Sequence, residues 1–99
     1  MLTCKNWKNK NGTGKRKCVC GTWKQHWINF SNKSWPDICS VSDCTNKPTL
    51  GVHVINYDVS GEKIVPMCDS CNKFDGFFNL RSGVMLVDAN KSKTCEKHK

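Results

Sequence analysis

Ninety-nine residues suffice for one domain and are too few for two ordinary ones. Hydrophobic residues make up 37% and fall in short runs, which excludes a membrane-spanning helix and implies a thin core in need of a covalent or metal staple. The formal charge of +8 lies wholly in residues 1–36, where eight basic residues meet no acidic one, while residues 37–99 hold eight of each sign. Such a chain suits an anionic partner.

In chain order, residues 1–17 are rich in Lys, Asn and Gly around a single Trp7 and read as a flexible basic arm. The opening MLTCKNWKNKNGTGKRK has no apolar h-region of a signal peptide, so a reducing, cytoplasmic setting is expected for the eight cysteines. The Asn-x-Ser/Thr triplets at Asn11, Asn29, Asn32 and Asn90 are then incidental. Cys18-Val19-Cys20 is a short extended segment ending at Gly21. Thr22 and Gln25 form the pattern of a helix capping box, and Trp23, Trp27 and Phe30 follow on one helical face. Ser31-Asn32 and Trp35-Pro36 close that helix.

Cys39 to Cys44 reads as a tight loop, followed by a turn-rich stretch over 45–48. Val52, Val54 and Tyr57 predict a strand and Lys63 to Val65 a second, with Asp58 to Glu62 as the hairpin loop. Cys68 to Cys71 opens a short helix that Asp75-Gly76 ends. Val84 to Val87 predicts a last strand, and 91–99 a basic tail carrying Cys95. The expected fold is α+β: one zinc-binding domain over 18–99, its core at 39–76, with an added N-terminal helix.

The chemistry centres on two cysteine pairs. Cys68 and Cys71, two residues apart, can turn both thiolates to one ion at the start of a helix. Cys39 and Cys44 can complete four sulfurs at about 2.3 Å if the hairpin folds back. Disulfides or buried free thiols are the plainer alternative. One zinc ion is expected here, and its four thiolates would lower the net charge to roughly +6. A second ion could be held by Cys18, Cys20, Cys95 and His26, with Cys4 in reserve. Cys18 and Cys20 are poorly placed to bridge each other, because alternate strand residues lie too far apart. Free thiols, and a His26 that only packs against Trp23 and Trp27, are the competing reading.

The order Cys pair, hairpin, Cys pair, helix resembles the treble-clef zinc fold, and the run CSVSDC looks like the opening knuckle of THAP-type zinc fingers. Residues 39–73 further resemble the Cys-pair subgroup of HNH nucleases, through Gly51-Val-His-Val54 and Lys63-Ile-Val-Pro-Met-Cys-Asp-Ser-Cys-Asn72. That resemblance implies His53 as a general base beside a catalytic divalent ion. The family's remaining ligands are missing: Val52 stands for its His or Asp, Lys63 for its Asn, Asn72 for its helix His. Asn72, Asp75 or Asp69 would have to substitute. Most of residues 18–95 also look like small bacterial proteins of unassigned function.

Lysines interleaved with tryptophans suit nucleic acid, where cations meet phosphates and rings stack on bases. Lys15, Arg16, Lys17 and Lys24 are the expected phosphate contacts, and Trp7 the stacking residue. The expected function is a non-enzymatic zinc-binding module that contacts nucleic acid. The alternatives are an HNH-like nuclease using His53, and a protein-binding adaptor such as a phage- or plasmid-borne inhibitor.

Overall fold

The computed structural model describes residues 5–10 and 21–89. Among them are strands β1 (Trp7–Asn9), β2 (Leu50–Asn56), β3 (Val59–Met67), β4 (Phe77–Phe78) and β5 (Val87–Asp88), and helices α1 (Trp23–Ser31) and α2 (Asp69–Asn72). The strands form one antiparallel sheet in the order β4-β1-β2-β3-β5. The fold is thus a small α+β one. Among the described residues no helix is long and apolar enough to cross a membrane.

The β2–β3 hairpin organises everything else. Its side chains alternate between the two faces of the sheet. Leu50 pairs with Met67 and Val52 with Val65, and together with Val54 these face one side. His53 pairs with Ile64 and faces the other. Two cores result. The first gathers Trp7, Val52, Val54, Val65, Met67 and Leu80 around Cys39 and Cys68. The second gathers Trp27, Ile64 and Val87, flanked by Trp23, Ile28 and Trp35.

The helix α1 covers the second face for reasons visible in its residues. Thr22 caps it, its hydroxyl accepting from the Gln25 N–H at 3.0 Å. The Gln25 side chain does not complete the capping box; it donates instead to Asn29 Oδ1 at 2.8 Å, one turn on. Asn32 ends the helix in the left-handed conformation (φ 59°), which Asn tolerates better than most residues. The start of α1 rests directly on β2 at Gly51, where an added Cβ would lie 2.4 Å from the Trp23 carbonyl carbon. Indole and imidazole N–H groups then tie the helix and its exit to distant carbonyls: Trp27 Nε1 to Met85 O at 2.9 Å and Trp35 Nε1 to Pro48 O at 3.0 Å. His26 Nε2 lies 3.0 Å from Asp88 O.

Several expectations need correction. Residues 7–9 do not lie in a basic arm; they form β1, inside the sheet, with Trp7 fully buried in the first core. Three residues are too few for an alternating pattern to show in sequence, so a buried Trp beside lysines looked like an exposed one. The hairpin turn is the two residues Tyr57-Asp58, and residues 60–62 are a bulge inside β3. Asn56 explains the tight turn: its Oδ1 accepts from the Asp58 N–H at 2.8 Å and its Nδ2 donates to Lys5 O at 2.8 Å. Gly61, taken as a loop residue, supplies the positive φ (83°) of the bulge. The last strand pairs only at Val87–Asp88 rather than from Val84. The short extended segment at 18–20 and the tail at 91–99 lie outside the described residues.

Candidate metal centre

Cys39 to Cys44 folds as a knuckle. The Cys44 N–H donates to Val41 O at 3.1 Å, and Asp43 takes a positive φ (70°) to make the turn. Backbone bonds dock the knuckle onto its surroundings: Ser40 N–H to Pro66 O at 3.0 Å, and Ser42 N–H to Asn79 O at 2.8 Å. Arg81 N–H also donates to Ser40 O, at 2.8 Å. Because β3 ends at Met67, the next residue, Cys68, leaves the sheet beside this knuckle and caps α2. Cys71 follows inside that helix.

Sulfur accepts hydrogen bonds throughout. The Cys68 N–H donates to Cys39 Sγ at 3.4 Å, the Cys71 N–H to Cys68 Sγ at 3.4 Å, and Asn46 Nδ2 to Cys68 Sγ at 3.7 Å. The ligand atoms of Cys39, Cys44, Cys68 and Cys71 all lie within 4.8 Å of one another. Cys44 Sγ and Cys68 Sγ are 3.8 Å apart. Four sulfurs placed about 2.3 Å from a central ion in a tetrahedron are separated by about 3.8 Å. The four cysteines are free thiols rather than disulfide partners, and they lie close enough to coordinate one metal ion.

Acidity follows from the same contacts. Burial works to raise the Cys68 thiol, but the Cys71 N–H, the Asn46 amide and the neighbouring Cys71 and Cys44 thiols outweigh it and hold it at about 7. Burial raises Cys71, and the surrounding sulfurs of Cys68, Cys44 and Cys39 raise it further. Burial likewise raises Cys39, against the N–H bonds it accepts. Gathered sulfurs resist a shared negative charge until a cation joins them. Two of the four sulfur ligands are buried and two half-buried, and a tetrahedral ion held by all four would have no further position open.

Comparison with protein-family models, with curated proteins and with solved structures found no match. The site therefore rests on its own geometry.

Two residues that sequence reading passed over hold this centre in place. Arg81 donates through Nε to Cys39 O at 3.1 Å and through Nη2 to Cys44 O, so one planar guanidinium spans both ends of the knuckle. Asn9 is buried, and its Nδ2 donates to the carbonyls of Cys71 (2.8 Å), Asn72 (3.0 Å) and Phe74 (3.0 Å). It thereby satisfies the end of the short helix that carries Cys71. Their partners lie 37 to 65 residues away in the chain, and no local pattern announces such contacts.

The remaining candidates are scattered. His53 is 3% exposed, on the opposite face of the hairpin from the cysteines, with the Trp23 ring edge-on at 4.3 Å. Asp69, a substitute ligand for a nuclease, pairs with Lys73 at 3.0 Å. His26 is fully buried between Trp23 (4.9 Å) and Phe30 (5.1 Å), the packing role weighed against metal binding. Cys4, Cys18, Cys20 and Cys95, which would join His26, lie outside the described residues, as do Lys15, Arg16 and Lys17. Lys24 is half-buried, its Nζ 4.9 Å from the centre of the Trp35 ring. Trp7, the expected stacking residue, is buried in the first core and offers no face to a base.

Proposed function

We propose that the chain is a zinc-stabilised, non-enzymatic binding module of a reducing compartment such as the cytoplasm, with nucleic acid as its anionic partner. The observation that carries the metal reading is the four-sulfur cluster, and an all-thiolate tetrahedral set suits zinc. Knuckle, hairpin and a short helix carrying the last ligand follow the treble-clef order. The ion's task is structural. It joins a loop to a four-residue helix, and its binding free energy becomes folding free energy.

What favours binding over catalysis is the place of His53. A general base must reach the atom it deprotonates, and this ring lies under Trp23 with a β-sheet between it and the cysteines. Nucleic acid is favoured by the charge distribution, since the whole net charge belongs to residues 1–36 and survives loading with one zinc.

Metal analysis of protein purified without added zinc, together with oligonucleotide binding across a salt series, tests both parts. One zinc per chain and an affinity that falls steeply with salt are expected. A chain that folds without metal would overturn the first part. Plasmid cleavage with Mg²⁺, Mn²⁺ or Ni²⁺ that His53→Ala abolishes would overturn the second in favour of an HNH-like nuclease.

A further inference from the structure

The tryptophans are turned inward or half-covered, whereas three other aromatic rings are more than half exposed. Tyr57 is 76% exposed, Phe77 53% and Phe74 52%. They are neighbours rather than strays. Tyr57 and Phe77 meet edge to face at 6.0 Å, and Phe74 and Phe78 at 6.4 Å. Between Phe74, Phe77, Phe78 and Val41 opens a cavity of about 210 Å³ whose floor includes Cys71. Exposed apolar side chains gathered on one edge mark a contact surface, while single ones mean little.

We propose that this edge of the sheet binds single-stranded nucleic acid, taking an unpaired base into the Phe74–Phe77–Phe78 cleft. The inference rests on the nucleic-acid reading above and gives it a location. The size fits one ring system: pockets for whole small molecules run from roughly 300 to 1,000 Å³. The chemistry fits as well, because a base offers a neutral π face to walls that are almost wholly carbon.

Charge decides how the strand lies. The cleft is lined mainly by Val41, Phe74, Phe77 and Phe78, and Asp58 and Asp75 adjoin Tyr57 and Phe74 in the chain, so a phosphate is disfavoured at the cleft itself. The adjoining strand β1 carries Lys8, with Lys5 and Lys10 on either side of it, and no acidic residue lies in that stretch. Lys8 Nζ already stands 5.5 Å from the centre of the Phe77 ring, and Lys8 is paired with Phe77 across β1 and β4. The sugar-phosphate backbone therefore follows β1 while a base turns inward. A stiff duplex keeps its bases stacked and cannot do this.

The test is fluorescence anisotropy of a labelled 12-residue oligothymidylate and of a duplex of equal length, with the zinc-loaded full chain. Phe77→Leu should weaken single-strand binding about tenfold or more, in the range that loss of one base–aromatic stack produces. Phe77→Trp should preserve it, and Phe30→Ala, an exposed aromatic on α1, should leave it unchanged. Metal content at one ion per chain, measured for each variant, shows that folding is intact. Equal affinity of wild type and Phe77→Leu, with binding still abolished by neutralising Lys15, Arg16 and Lys17, overturns the cleft but leaves the nucleic-acid reading standing. Equal affinity of the wild-type chain for the single strand and the duplex overturns the cleft in the same way. Failure of the wild-type chain to bind either oligonucleotide overturns both.

Discussion

The two faces of the β2–β3 hairpin are held by different chemistry. On one, Trp7, Val52, Val54, Val65, Met67 and Leu80 pack around two of four clustered cysteines. On the other, the helix α1 lays Trp23, His26 and Trp27 against His53, Ile64 and Val87 of the sheet, and ring N–H groups reach backbone carbonyls. The second face is a conventional amphipathic solution, complete once the helix docks. The first differs: its knuckle and four-residue helix have little regular structure, and four sulfurs meet between them. One sheet thus carries a layer closed by a docked helix and a layer closed around four sulfurs that could hold an ion.

The largest effect that can break this contrast is metal removal. A chelator should abolish cooperative unfolding, since structural zinc contributes roughly 10 kcal/mol or more in small domains at neutral pH. Circular dichroism melts with and without EDTA check this, and coincident melts would show that the cysteine face stands unaided.

Next come the two core tryptophans. Trp7→Ala and Trp27→Ala should each cost about 3 to 5 kcal/mol by denaturant unfolding, as large core truncations do. Only Trp7→Ala should also speed zinc transfer to a chromogenic chelator, because only Trp7 shares a core with Cys39 and Cys68. Equal transfer rates would mean that the faces are not independent.

Arg81→Ala is expected to cost about 1 to 3 kcal/mol by leaving two ligand carbonyls without their donor. It should act through the metal centre. Zinc release should quicken, while Arg81→Lys, lacking the planar fork, should restore only part of the retention. A stability loss with unchanged zinc release would reduce Arg81 to ordinary packing.

The smallest effect belongs to the helical face. Thr22→Ala removes the cap of α1 and should lower stability by about 1 kcal/mol with no change in zinc retention.

These differences also explain what could be read in advance. The helix α1 showed in its cap residue and in the helical spacing of its aromatics, but the face it buries is that of His26, Trp27 and Ser31, while Phe30 is exposed. The hairpin showed in its runs of Val and Ile, though not its turn, where Asn56 accepts from the Asp58 N–H while its amide is anchored on Lys5, 51 residues away. The strands β1 and β4 did not show at all. Two or three residues carry no period, and they are strands only because each finds a partner edge. That error moved Trp7 from the core to an imagined arm and hid the rings that are exposed.

The cysteine spacings announced a four-sulfur set because ligand chemistry demands particular residues at short separations, and such a demand survives in a linear string. Closing that set to within 4.8 Å, clamping it with Arg81 and Asn9, and placing His53 on the opposite face were decided by the chain's return upon itself. Contacts between residues 37 to 65 positions apart have no local signature. They exist only when strand pairing brings their ends together.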